Sequence, residues 1–160
     1  MVGIVFLGEI HLCPFVDKYT DSLIKNHIDY EIISWDRSGY QNESTEHHHV
    51  FRKNSKKMVN PFFKVKDFLL FAKFAKRIIR EKQYDKLVIL TTLTGMLLYP
   101  MLTGRYKKKF IFDYRDVSYE FLPIYRHFLK RIVDSSAFTC ISSLGFKKHL
   151  PPKHEKGTSQ

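Results

Sequence analysis

Short apolar runs alternate along this chain with longer stretches whose apolar residues recur every three or four positions. Val2–Leu7, Tyr30–Trp35, Lys86–Leu90, Lys109–Phe112 and Ala137–Ile141 read as strands, and His47–Arg52 as a short further one. Phe15–Asn26 carries Phe15, Tyr19, Leu23 and Ile24 at helical spacing. Pro61 opens a helix that runs to about Gln83, because its missing N–H costs little in a first turn. Met96–Leu102, Tyr119–Val133 and Leu144–Leu150 predict further helices, with Pro123 marking where the regular part of the middle one begins. Polar Asp36–Glu46 reads as a loop, and Pro151-Pro152 ends regular structure. Runs such as Leu87-Val88-Ile89-Leu90 are apolar on both faces, as in a parallel sheet covered on both sides. The expected fold is therefore α/β: a doubly wound, mostly parallel sheet of about six strands with helices on both faces. Ligands of such sheets bind at the carboxyl ends of the strands. That directs attention to Gly8–His11, Thr91–Gly95, Asp113–Glu120 and Ser142–Phe146.

Leu87–Gly104 is uncharged over 18 positions, which rivals a membrane span of roughly 18–20 residues. Thr91, Thr92, Thr94, Gly95, Tyr99 and Pro100 interrupt it, and it divides more naturally into a strand, a turn and a helix. The length of 160 residues fits one domain, 1–150, with 151–160 a tail or the start of a linker. Two cysteines, Cys13 and Cys140, make no disulfide framework and have no CxxC spacing, so a reduced, cytoplasmic setting is expected. Met1–Leu7 has neither a basic n-region nor a cleavage site.

Charge changes the picture because it is uneven. The net charge is +11, yet residues 1–50 carry −5, residues 51–110 carry +13 and residues 111–160 carry +3. A localised basic region faces something anionic. Much of it lies on the helix from 61 and the Lys107–Lys109 turn; on that helix Val65, Phe68, Leu69, Ala72, Ala75 and Ile79 form one apolar stripe. Lys66, Lys73, Arg77 and Arg80 form a basic one, flanked by Phe63, Leu70 and Phe74. Cations beside exposed apolar groups suit an anionic membrane surface; a solvated helix face is the plainer alternative. Basic-aromatic interleaving also suits nucleic acid, but no recognised nucleic-acid module accompanies it, and none is expected as a partner.

Three carboxylates and an arginine crowd Asp113-Tyr114-Arg115-Asp116 and the following Glu120, where a strand leaves the sheet. They suit acid–base work or the gripping of a polar substrate. Their structural alternative has Asp116 capping the following helix and Arg115 holding Asp113. Gly8-Glu9-Ile10-His11 lacks GxGxxG, and no GxxxxGK[ST] occurs, so a dehydrogenase or nucleoside triphosphatase loses its main support. Glu9 and His11 remain candidates to line a pocket. His47-His48-His49 invites a metal, but alternation in a strand puts only His47 and His49 on one face and no ligand spacing completes a site. No metal is expected.

Gly8, Pro14 and Tyr19, then Ile32-Ile33-Ser34-Trp35-Asp36-Arg37, Phe110–Asp116 with Glu120, and Ile141–Phe146 before Leu150-Pro151 together resemble the N-terminal domain of family 4-like bacterial glycosyltransferases. The members it most resembles serve capsule or other surface-polysaccharide synthesis. The resemblance spans about residues 2–152 and implies one Rossmann-like half of a GT-B fold. In such retaining enzymes this half binds the acceptor, often lipid-linked. A C-terminal domain binds the nucleotide-sugar donor, generally without a metal. That donor domain is missing by residue 160, so no cofactor is expected on this chain and no transfer by it alone. The resemblance implies Asp116 nearest the reaction centre, and Gly8, Glu9, His11, Asp113, Arg115 and Glu120 around the acceptor. Lys66, Lys73, Arg77 and Arg80 would meet the inner membrane surface. The alternative is a self-sufficient Rossmann-like binding or regulatory module, held to an anionic membrane or a partner protein by the helix 62–82.

Overall fold

A computed structural model describes residues 1–39, 47–53, 61–116 and 119–150, with the side chains of 61–64 and of Leu144 left aside. Six strands form one all-parallel sheet: β1 (Val2–Phe6), β2 (Tyr30–Asp36), β3 (His48–Arg52), β4 (Lys86–Leu90), β5 (Phe110–Tyr114) and β6 (Phe138–Ile141). Their order is β3-β2-β1-β4-β5-β6. The helices are α1 (Val16–Lys25), α2 (Pro61–Lys82), α3 (Thr92–Leu97), α4 (Tyr99–Thr103) and α5 (Pro123–Ser135). This is the doubly wound α/β fold expected of the alternating pattern.

The layers are unequal. Among the described residues α1 is the only helix on one face, where Val16 and Cys13 pack on Val2, Ile4, Val88 and Leu90. The opposite face carries α2 to α5 over Val5, Ile33, Trp35, Ile89, Phe112 and Tyr114. Leu98 and Leu102 fill its centre, and Leu129, Ile132 and Val133 fill the β5 side. The stretch Leu87–Gly104 is β4 followed by two short helices that break at Leu98, the second of them opening with Pro100. Among the described residues no helix is long and apolar enough to cross a membrane.

The helix α2 is turned from its expected setting. Phe71, Ala72, Ala75, Ile78 and Ile79 are buried, while Val65 and Leu69 are exposed. The reason lies in the sheet. Trp35 and Phe51 offer an aromatic floor on which Phe71 stacks, its ring 6.1 Å from that of Trp35. Asp67 turns inward because Lys53, at the end of β3, pairs with it. Phe63 lies outside the described side chains.

At the amino edge, Glu31 of β2 accepts hydrogen bonds from Tyr84 Oη, Lys82 Nζ at 2.9 Å and His49 Nε2 at 2.7 Å. The Tyr84 ring reaches it only because Gly3 has no side chain; a Cβ there would lie 2.6 Å from the ring. Burial alone would raise the Glu31 carboxyl, but these donors outweigh it and hold it at about 2. A depressed carboxylate contributes stability in full above its unfolded value near 4.5, and loses it as pH falls toward 2. Replacing Glu31 by Gln therefore lowers the melting temperature at pH 7 and flattens its fall between pH 4.5 and pH 2, measurable by circular dichroism. An unchanged acid limb would contradict this.

Candidate functional site

The strand order reverses between β1 and β4, and the loops leaving their carboxyl ends part to opposite faces. A crevice at such a point is where doubly wound sheets take ligands. Gly8 lies just past β1, and its carbonyl accepts the Trp35 N–H at 3.1 Å. The chain then turns through Ile10–Leu12 in a single 3-10 turn, with Glu9 3.4 Å from His11 Nε2. Across the crevice, Thr91 ends β4 with φ 74° and ψ 153°, a conformation open to glycine and strained for a β-branched residue. Its hydroxyl lies 3.0 Å from that of Thr94, which accepts the Leu7 N–H at 3.0 Å. These bonds pin the two loops together.

Asp113 is fully buried near the end of β5, on the α1 face. Its Oδ2 accepts Tyr19 Oη at 2.7 Å and Arg115 Nε at 2.7 Å, and Oδ1 has no hydrogen-bond partner among the described residues. The Arg115 guanidinium lies 4.1 Å from the centre of the Phe15 ring. Burial and the Asp113 carboxylate push the Tyr19 hydroxyl well above the usual phenol range. Burial also raises the nearby Cys13 thiol to about 12, so it is not a nucleophile near neutral pH.

Asp116 goes back to α3. Its Oδ1 accepts the Thr92 N–H at 2.9 Å, and Thr92 Oγ1 lies 3.0 Å from the same oxygen and 2.9 Å from the Asp116 carbonyl. The carboxylate thus caps α3, two helices back in the chain, rather than the following helix, while Arg115 does hold Asp113. Glu120 parts from the group. It is buried against Tyr114 Oη at 2.8 Å, and Tyr114 points to the face opposite Asp113 because side chains alternate along a strand.

Two contributors escaped the reading from residue types. Tyr19 carries no charge, and only its inward position on α1 marked it. Arg37 follows β2 and lies 4.2 Å over the Trp35 ring. Burial lowers its pKa, and the carboxylates of Glu9 and Asp67 oppose that. Asp36 beside it holds the turn, accepting Gly39 N–H at 2.8 Å.

The histidine run divides. His48 bonds the Ser34 hydroxyl at 2.7 Å and His49 bonds Glu31, on opposite faces, while His47 precedes the strand and is exposed. Among the described residues no cluster of three or more His, Cys, Asp or Glu is set to hold a metal ion. On α2, Lys66, Lys73, Arg77 and Arg80 are all exposed. Lys73, Arg77 and Arg80 border a shallow groove of about 760 Å³ with Leu69 and Leu70.

Fold and crevice together define a Rossmann-like, doubly wound α/β domain with a carboxylate- and arginine-lined carboxyl edge. No family model, curated protein or solved structure matches the chain.

Strain at Thr91 is testable with paired variants. Thr91→Ala loses the hydroxyl and keeps the strain, whereas Thr91→Gly relieves about 1–3 kcal/mol of it against about 0.5–1 kcal/mol of glycine entropy. Thr91→Gly is expected to melt higher than Thr91→Ala in thermal unfolding. The reverse order would place Thr91 in ordinary backbone.

Proposed function

We propose that this chain is the acceptor-binding half of a retaining, nucleotide-sugar-dependent glycosyltransferase of the GT-B type, acting in polysaccharide biosynthesis. The observation that carries the reading is the carboxyl-edge rim at the strand-order reversal. There Arg115 pairs with the Asp113 carboxylate, Asp116 accepts from Thr92 at the start of α3, and Glu9 acts electrostatically on Arg37. Carboxylates accept hydrogen bonds from sugar hydroxyls, and a guanidinium matches a phosphate or another carboxylate in two-pronged fashion. No glycine-rich phosphate loop leaves β1, which favours an acceptor over a nucleotide at this edge.

Within this reading Asp116 is the group nearest the reaction centre, positioned by Thr92. Glu9, His11 and Arg115, with the Gly8 backbone, form the acceptor wall, and buried Asp113 acts behind it by holding Arg115 and Tyr19. Glu120 acts at one remove by fixing Tyr114. The acceptor is a saccharide, free or lipid-linked, and the donor nucleotide sugar is held by a second domain. The exposed cations Lys66, Lys73, Arg77 and Arg80 support a peripheral position on the inner, anionic membrane surface.

Ligand-observed NMR tests this on the chain itself. Prenyl-phosphate-linked saccharides are expected to bind and nucleotide sugars to leave the spectrum unchanged. Asp116→Asn keeps an oxygen for the Thr92 N–H and removes the charge. It should leave the melting temperature within about 1 kcal/mol of equivalent stability. In a two-domain enzyme it should lower turnover at least about a hundredfold, as loss of an acid–base group does. Nucleotide-sugar binding without acceptor binding would overturn the assignment.

A further inference from the structure

On the face that carries α1, that helix packs on β1 and β4, and among the described residues no second helix joins it there. Under β2 the amino edge is closed by Glu31; at β4, β5 and β6 it is open. The open part hollows into an apolar cavity of about 220 Å³. Leu23 near the end of α1 and Ile28 in the turn after it line one side. Val2, Val88 and Ile111 line the sheet side, and Phe138 stands at the β6 side. Ile111 and Phe138 are register partners and so share the face. Phe138 is 68% exposed and Ile28 42%, although parallel strands are as a rule covered on both faces. Three lysines rim the amino end: Lys86, the register partner of Val2, and Lys108 and Lys109 in the turn before β5. That turn is tied down. Lys108 takes φ 62°, and its N–H donates to the Ser135 carbonyl at 2.7 Å. Its Nζ donates to the carbonyls of Asp134 at 2.6 Å and Ser136 at 3.2 Å. The Lys109 carbonyl accepts the Leu87 N–H at 3.0 Å. Apart from these lysines, no polar side chain among the described residues lines the cavity.

Apolar walls with cations at one end select a ligand of the same layout. With no hydroxyl, amide or carboxylate side chain among the described lining residues, the walls offer nothing to read a sugar or the edge of a base. The volume is that of about seven water molecules, room for about as many methylene-sized groups. The charge left at the rim is modest. Asp85 acts electrostatically with both Lys86 and Lys109 and accepts the amino-terminal ammonium at 2.7 Å, while Lys108 is engaged with its two carbonyls. What remains suits a singly charged head. A phosphate carries more charge and is best matched by arginines or clustered N–H groups, which the described rim lacks. We infer that this cavity is a second binding site, for a medium-chain carboxylate. Its chain lies along Val88, Ile111 and Phe138, and its head meets Lys86 and Lys109. Residues 151–160 supply no Leu, Ile, Val, Met, Phe, Tyr or Trp to fill the cavity, and a second copy would set one lysine rim against another. The site lies at the opposite end of β4 and β5 from the crevice and is independent of the acceptor-side reading.

The probe is sodium octanoate, held below its micelle concentration and titrated into the isotopically labelled chain while backbone amide shifts are followed. Saturable shifts are expected at Leu23, Ile28, Val88, Ile111 and Phe138. Affinity should rise about fourfold per methylene from hexanoate to octanoate, then level off toward dodecanoate as the cavity fills. Octan-1-ol keeps the chain and loses the charge, and should bind at least about tenfold more weakly. Lys86→Glu/Lys109→Glu and, separately, Phe138→Ser replace exposed side chains, so both should keep the wild-type circular dichroism. Each should weaken octanoate at least about tenfold, the first by repelling the head and the second by baring the chain. Absence of saturable shifts, shifts centred on the α2 groove, octanol binding as tight as octanoate, or wild-type affinity in the folded variants would each overturn the inference. So would octyl phosphate binding more than about tenfold tighter than octanoate, or a dimer of the unliganded chain that covers Phe138.

Discussion

A parallel strand pair can be joined only by a crossover, and the right-handed twist of the chain fixes the side on which that crossover passes. Here the chain leaves β1 toward β2 in one direction and later leaves β4 toward β5 in the other. The reversal sends α1 to one face and the remaining helices to the opposite face. It also forces the loops after β1 and β4 apart, which opens the crevice lined by Gly8, Glu9, Thr91 and Asp116. The sites discussed above depend on that one change of direction. The crevice exists because of it, and the exposed sides of α2 and α5 face the same way because their crossovers run in the same sense.

The two edges of the sheet do different work. At the amino edge, Glu31 satisfies three donors and Tyr84 fills the space that Gly3 leaves. That arrangement is closed and stabilises the fold. At the carboxyl edge, polar groups are held but not exhausted. Among the described residues Asp113 keeps an oxygen without a hydrogen-bond partner, and Thr91 sits in a costly backbone conformation. Unspent hydrogen-bonding capacity and local strain at the same edge are what pre-organised binding sites maintain at the expense of stability. The surrounding aromatic packing of Trp35, Phe51 and Phe71 keeps that expense tolerable.

The fold was largely legible because its strands are buried on both faces and so read as continuous apolar runs; Lys86–Leu90 matches β4 residue for residue, and Pro61 does open α2. What was not legible depended on long-range partners. Nothing local distinguishes Leu69 from Phe71 as the buried residue of α2; the aromatic floor 20 or more positions upstream decides it. Asp116 pairs with Thr92 across 24 positions of sequence, so spacing could suggest a cap only for the next helix. Glu120 looked like a neighbour of Asp113, yet strand alternation at Tyr114 carries it to the other face. Tyr19 reaches Asp113 across 94 positions, a distance over which residue type alone says nothing.

The claim that the carboxyl-edge crevice is the binding site is tested most directly by mapping backbone amide shifts of the isotopically labelled chain during titration with a short-chain lipid-linked saccharide. Shifts are predicted to concentrate at Gly8–His11, Thr91–Thr94 and Arg115–Asp116, with the amino-edge residues Glu31, Tyr84 and Lys86 unmoved. Shifts centred on the amino edge, or on the open side of β6 around Phe138, would contradict the account.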